Sequence, residues 1–84
     1  MPTAIARSPQ QLGRLIQGFR RERGLNQTEL ADLAGLRQEM VSKIETGQEG
    51  VRLGTIYSLL AALNLEMTLT PRIKSSAKDI EDIF

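Results

Sequence analysis

Apolar side chains recur at the 3.6-residue spacing of an α-helix in four stretches of this 84-residue chain. The first and last stretches are the longest. The apolar residues of the first are Leu12, Leu15, Ile16 and Phe19, and those of the last are Leu53, Ile56, Leu59, Leu60 and Leu63. Ser8 and Pro9 mark the start of the first helix, as N-cap and first helical residue, and Gly24 marks its end. Asn64 tolerates a left-handed backbone and ends the last helix. The pattern predicts an all-α bundle over residues 8–64.

Two shorter helical stretches lie between these, within residues 26–46. Their apolar positions are Leu30, Leu33 and Ala34, then Val41 and Ile44. Asn26 is a suitable N-cap, and Glu29 lies three residues later, where a capping box requires it. Gly35 accepts a positive φ and lets the chain turn sharply between the two stretches. A helix, a tight turn and a second helix with a polar outer side predict a helix-turn-helix motif.

The second helix of this motif carries the candidate DNA contacts. Its predicted outward side chains are Gln38, Glu39, Ser42, Lys43 and Glu45. Side chains at the exposed N-terminal end of such a helix reach base edges in a major groove, which makes Arg37, Gln38, Glu39 and Ser42 candidate base-reading residues. Lys43, and Gln48 in the glycine-containing loop at residues 47–50, are candidate phosphate contacts. The alternative is an ordinary αα-hairpin with solvated polar residues.

The polar side of the first helix is rich in arginine. It carries Arg14, Gln17, Arg20, Arg21 and Arg23. We interpret Arg20 and Arg21 as solvated surface residues, because a row of charges on a helix usually faces water. Arg14 and Arg23 remain open between solvated residues and phosphate contacts.

Residues 65–70 break the helical period and alternate strictly, with Leu65, Met67 and Leu69 on one side. The alternation predicts a β-strand that Pro71 closes. A single strand in a helical chain must pair its N–H and C=O groups elsewhere, and the simplest partner is the same strand of a second copy. We therefore expect a dimerisation strand within residues 65–72, with those three side chains at the contact. An extended tail lying on the helices is the alternative.

The charge is unevenly distributed between the body and the C-terminal end. Residues 1–74 carry ten basic and seven acidic side chains, a net +3, whereas residues 75–84 carry a net −2. A mildly basic body suits a DNA-binding domain with a tail that serves another purpose. We expect residues 1–7 to form a flexible arm and residues 73–84 a flexible tail. Ile80, Ile83 and Phe84 lie at helical spacing in that tail, which orders against a partner, marks the chain for degradation, or is idle.

Composition argues against several other functions. The chain has no cysteine and no histidine, which removes disulfides, thiolate zinc sites and the commonest general base. It also lacks a glycine-rich phosphate loop, so we expect neither an enzyme nor a cofactor or metal site. No apolar run approaches a membrane span, and no long hydrophobic region of a signal peptide begins the chain. We expect a cytoplasmic, nucleoid-associated protein without a membrane partner.

The segment from Gly24 to Gly47 resembles the helix-turn-helix of the Cro/C1-type phage repressors, the XRE family. The shared residues are Gln27, Glu29–Ala31, Gly35, Gln38, Ser42, Ile44 and Glu45. The resemblance covers residues 8–64 and implies a DNA-binding domain of four or five helices. Three further features resemble HipB-type antitoxins: the start Ser8-Pro9 followed by Gln11-Leu12, the basic residue at Arg37, and the segment from Leu63 to Leu69.

The resemblance implies that the segment from Leu63 to Leu69 pairs between two subunits. The implied partner is a HipA-like serine/threonine kinase toxin, which the protein would neutralise while repressing their shared operon. A free-standing Cro/C1-type repressor without a toxin partner is the alternative.

Position by position, the resemblance makes Arg37, Gln38, Glu39 and Ser42 base-facing, and Gln27 and Thr28 phosphate contacts. Glu39 departs from the family, which often has a small residue there. A carboxylate at this position must either accept from a cytosine amino group or pair with Arg37, since it otherwise repels phosphate.

Overall fold

A computed structural model describes residues 4–72 of the chain, and this part contains four helices. They are α1 (Pro9–Glu22), α2 (Gln27–Ala34), α3 (Gln38–Glu45) and α4 (Leu53–Ala62). The predicted helical bundle is confirmed. The predicted C-terminal tail at residues 73–84, and residues 1–3 of the predicted arm, lie outside the described residues. No helix of the described part is long and apolar enough to cross a membrane.

The predicted helix boundaries are confirmed by their hydrogen bonds. Ser8 caps α1 by accepting from the backbone N–H of Gln11 at 3.1 Å. Asn26 and Glu29 form the complete capping box at the start of α2, with bonds of 2.7 and 2.9 Å. Gly35 turns the chain into α3 with a φ of 71°, a conformation that costs glycine little. The capping box therefore sets where α2 begins, and Gly35 sets where it ends.

One apolar core joins all four helices. Its buried members are Ile16, Leu30, Ala31, Val41, Ile44, Ile56, Leu59, Leu60 and Leu63. Two residues expected on apolar stripes are exposed instead: Leu33 is 62% exposed and Leu53 59%. Successive residues are about 100° apart around a helix axis. Because α2 turns Leu30 and Ala31 toward the core, Leu33 points away from it. Leu53 is the first residue of α4 and lies at the edge of the core.

Helices α1 and α3 approach each other closely at Gly13. A Cβ atom there would lie 2.5 Å from the backbone carbonyl oxygen of Glu45 and would also meet that of Ile44. The absence of a side chain therefore lets α3 lie directly on α1. Gly13, Ile16 and Arg20 are the buried residues of α1 and lie on one side of the helix, so Arg20 also faces α3.

The C-terminal segment at residues 65–72 carries neither helix nor strand in the described chain, in contrast to the predicted β-strand. A strand requires a ladder partner, and the expected partner is a second copy of the chain, so dimer pairing remains a prediction. The Leu65 N–H donates to the Leu60 carbonyl at 2.8 Å, and its side chain packs on the core. Farther along, Met67 is 38% and Leu69 is 94% exposed. Their side chains are therefore accessible to solvent, that of Met67 in part and that of Leu69 almost completely.

Candidate nucleic-acid interface

The recognition helix of the predicted motif, α3, is held by its inner side and open on its outer side. Val41 and Ile44 are buried in the core. Arg37, the N-cap, has an extended backbone and makes no side-chain capping bond. The predicted base-reading residues lie together at the first two turns: Arg37 and Glu39 are exposed, and Gln38 and Ser42 are half-buried. This arrangement suits the insertion of a helix end into a major groove.

The other end of α3 is anchored by a buried ion pair. Arg20 donates from Nε to Oε2 of Glu45 at 2.6 Å and from Nη2 to Oε1 at 3.0 Å. A third bond runs from Arg20 Nη1 to the carbonyl oxygen of Leu25 at 2.8 Å, next to the end of α1. The hydrogen bonds from Arg20 to Glu45 and the negative charge of Glu45 raise the pKa of the guanidinium, while burial opposes them. Arg20 therefore stays charged at every ordinary pH.

This ion pair corrects two sequence predictions. The sequence predicts Arg20 as a solvated residue, but it is only 7% exposed. The sequence also predicts that Glu45 faces outward, but it is only 6% exposed. The physical reason is the position of Arg20, four residues after Ile16 on the buried side of α1, where Glu45 meets it. Arg21, the neighbouring arginine, is exposed as predicted.

Two glutamines connect the ion pair to the exposed end of α3. Gln27, the first residue of α2, donates from Nε2 to Oε1 of Glu45 at 3.0 Å. Gln38, the first residue of α3, donates from Nε2 to Oε1 of Gln27 at 2.6 Å. Gln27, a predicted phosphate contact, is thus hydrogen-bonded directly to Gln38, a predicted base-reading residue. The sequence signal for this contact is a glutamine at the first position of both helices.

The candidate phosphate contacts lie in α2, in α3 and in the loop that follows α3. Thr28 is exposed in the first turn of α2. Lys43 and Gln48 line a depression of about 240 Å³ together with Glu49, Arg52 and Thr55. The sequence pattern does not single out the last two residues as contacts. The signal that points to Arg52 is its position immediately before α4 and after the glycine-containing loop.

Arg37 and Glu39 do not form an ion pair in the described part of the chain, where the one salt bridge joins Arg20 and Glu45. The Glu39 side chain is exposed, so both routes by which its carboxylate would be tolerated beside DNA, pairing with Arg37 or accepting from a cytosine amino group, remain predictions.

Comparison with known proteins identifies the class of protein that this fold and surface define. The helix-turn-helix family model matches residues 16–69. The chain therefore belongs to the helix-turn-helix family, of the XRE type that the motif residues indicated. The resemblance to HipB is also confirmed, since the chain is 32% identical over 74 residues to the antitoxin HipB of Escherichia coli (strain K12), a match that spans 88% of this chain and 84% of that protein.

The chain is also similar to a transcriptional regulator and to two solved structures that contain HipB. An uncharacterised HTH-type transcriptional regulator of Haemophilus influenzae is 36% identical over 58 residues, covering 68% of this chain and 59% of that protein. A complex of a HipB variant with an O2 20mer matches with a TM-score of 0.76 at 32% identity, covering 82% of this chain and 96% of that chain. A HipA-HipB-O2-O3 complex matches with a TM-score of 0.75 at 32% identity, covering 81% and 96%.

Proposed function

We propose that this chain is a sequence-specific DNA-binding antitoxin. It binds operator DNA as a homodimer in the cytoplasm, at the nucleoid, represses its own toxin–antitoxin operon, and neutralises a HipA-like serine/threonine kinase toxin. The observation that carries the DNA-binding part of the proposal is the N-terminal end of α3, where two exposed and two half-buried polar residues lie together while Val41 and Ile44 anchor the helix.

Each of these residues has a chemical partner in the major groove. The Gln38 amide offers one donor and one acceptor, which match adenine N7 and N6. Arg37 can donate to both O6 and N7 of guanine, Glu39 can accept from cytosine N4, and Ser42 can contact either kind of group. Gln27, Thr28, Lys43 and Gln48 contact phosphates, which sets the register of the helix without reading sequence. Arg52 shares the depression with Lys43 and joins this set.

The homodimer is proposed to form through the C-terminal segment. Leu69 is almost fully exposed, and a groove of about 620 Å³ lies between α1 and residues 65–69. Exposed apolar side chains beside an apolar groove favour an interface. Pairing of residues 65–70 with a second copy would supply the missing ladder and contribute Leu65, Met67 and Leu69 to the contact. Two copies would then present recognition helices to half-sites about 34 Å apart, one turn of DNA.

The toxin partner is supported by the extent of the similarity to HipB. It covers 88% of this chain and so includes residues outside the helix-turn-helix. A matched structure also contains HipA together with HipB. The alternative is a free-standing Cro/C1-type repressor, which the similarity to the H. influenzae transcriptional regulator supports.

One experiment tests both parts. The protein is titrated onto labelled DNA of its own promoter, with and without the product of the neighbouring reading frame, and kinase activity of that product is assayed in parallel. An antitoxin binds the promoter, forms a complex with a kinase and suppresses its activity. Promoter binding with no kinase encoded nearby and no partner supports the free-standing repressor. Failure to bind the promoter in low salt refutes the repressor role in either form.

A further inference from the structure

The hydrogen-bond chain from Arg20 to Gln38 has a fixed direction. A carboxylate only accepts hydrogen bonds, and a guanidinium only donates them. The Glu45 carboxylate accepts from Arg20 and from Gln27. Gln27 must therefore turn its Nε2, and not its Oε1, toward Glu45, because an amide oxygen facing a carboxylate oxygen would be repelled.

The orientation of Gln27 determines that of Gln38. With its Nε2 directed to Glu45, Gln27 presents Oε1 to Gln38, and an acceptor there requires a donor. Gln38 meets it with Nε2 at 2.6 Å. An amide nitrogen carries two hydrogens, so one N–H and the Oε1 of Gln38 stay free for another partner. A neutral glutamine in water would populate both orientations of its amide.

We infer that Glu45, acting through Gln27, sets the base preference of Gln38. The free donor and acceptor of Gln38 match adenine, which presents N7 as acceptor and N6 as donor, and do not match guanine, which presents two acceptors. The inference rests on the proposed function, because it assumes that Gln38 reads a base. Glu45 and Gln27 are then positioning residues, and Arg20 keeps Glu45 in place.

Two substitutions at Gln27 test the direction of the chain without breaking the ion pair. Gln27→Met has a side chain of similar length with no strong donor or acceptor, and it frees the Gln38 amide to turn. Gln27→Lys places a donor-only group between Glu45 and Gln38. It can donate to both, which turns Oε1 of Gln38 inward and presents its two N–H groups outward. Leu33→Lys adds the same charge at an exposed position of the same helix, outside the hydrogen-bond chain and outside the proposed DNA contacts, and serves as the control.

The readout is base preference in a selection from a randomised double-stranded DNA library, scored at the position that loses its preference in Gln38→Ala. We expect the adenine-to-guanine ratio there to fall on the order of tenfold in Gln27→Met, and to reverse in favour of guanine in Gln27→Lys. The control is expected to keep the wild-type ratio. Circular-dichroism melts confirm that each variant is folded.

The outcomes separate this inference from the proposed function. If Gln38→Ala abolishes a preference but both Gln27 variants keep the wild-type ratio within about twofold, Gln38 reads its base without being oriented by Gln27, and the inference is wrong. A uniform loss of affinity in both Gln27 variants, at constant ratio, assigns Gln27 to phosphate contact alone and also contradicts the inference. If Gln38→Ala alters no position, Gln38 does not read a base, and both the base-reading role and its control by Glu45 fail.

Discussion

Replacement of Arg20 by methionine is expected to remove a large share of the stability of the domain. Methionine keeps an unbranched apolar stem but none of the donors that Arg20 directs to Glu45 and to the Leu25 carbonyl. The Glu45 side chain is only 1% exposed, so water cannot replace the lost bonds. Gln27 remains as a single neutral donor to a buried charge.

The size of the effect follows from the burial of Glu45. An unpaired buried charge costs about 3–5 kcal/mol. A typical value of about 0.05–0.15 kcal/mol per residue gives an 84-residue chain a total of about 4–13 kcal/mol. Arg20→Met therefore removes between about a quarter and all of the stability of the domain. The double variant Arg20→Met, Glu45→Leu is expected to recover most of the loss, because replacing both members of a buried pair with apolar groups is often neutral.

Urea unfolding followed by circular dichroism measures these differences. Protein concentration is held constant, because association would add to the apparent stability. Arg21→Met is the matched control: Arg21 is the exposed neighbour, and its change is expected to stay within about 0.5 kcal/mol. The reasoning is refuted if the stability of Arg20→Met lies within about 1 kcal/mol of that of Arg21→Met, or if the double variant is no more stable than Arg20→Met.

Three further changes test other parts of the structure. Gly13→Ala, which forces a methyl group to 2.5 Å from the Glu45 carbonyl oxygen, is expected to cost about 1–3 kcal/mol in thermal unfolding. Gly18→Ala has open space in the same helix and should stabilise by about 0.5–1 kcal/mol; equal effects would contradict the close packing. Gln38→Ala is expected to cost about 1–3 kcal/mol per half-site and relax one base pair in anisotropy titrations, whereas equal losses on all sequences would assign it to phosphate. Thr68→Pro removes one N–H of the proposed ladder and is expected to give a monomer in sedimentation. If the wild-type chain is itself a monomer at micromolar concentration, the prediction of a dimerisation strand is wrong.

The helices and their ends could be predicted because their causes are local. Ser8, Asn26 and Gly35 act on backbone groups within a few residues of themselves, so the sequence near each helix end contains the information. The apolar spacing likewise identified Ile16 in α1, and Val41 and Ile44 in α3, as core positions. The exposed end of α3 followed from the same pattern, because the buried positions Val41 and Ile44 determine which side faces water.

The network behind that end could not be predicted from local pattern. Arg20 and Glu45 are 25 residues apart, and each has the character of a surface residue until α1 and α3 are packed together. Polarity alone predicts that Arg20 is exposed to solvent. Only its spacing from Gly13 and Ile16 indicates that it lies on the buried side of α1. The dimerisation strand is predicted from the alternation of residues 65–70, and its pairing stays a prediction because the proposed partner is in another molecule.

The network ties both ends of the recognition helix to the rest of the domain. Gln38 is the first residue of α3 and Glu45 the last, and Gln27 bridges them from α2 while Arg20 holds Glu45 from α1. A helix of only eight residues is marginal alone, so its rigidity must come from such contacts. Rigid supports lower the cost of ordering a side chain when it meets its target. The contacts that stabilise α3 therefore also prepare its exposed end for a partner, and a substitution deep between α1 and α3 is expected to affect binding at a surface it does not touch.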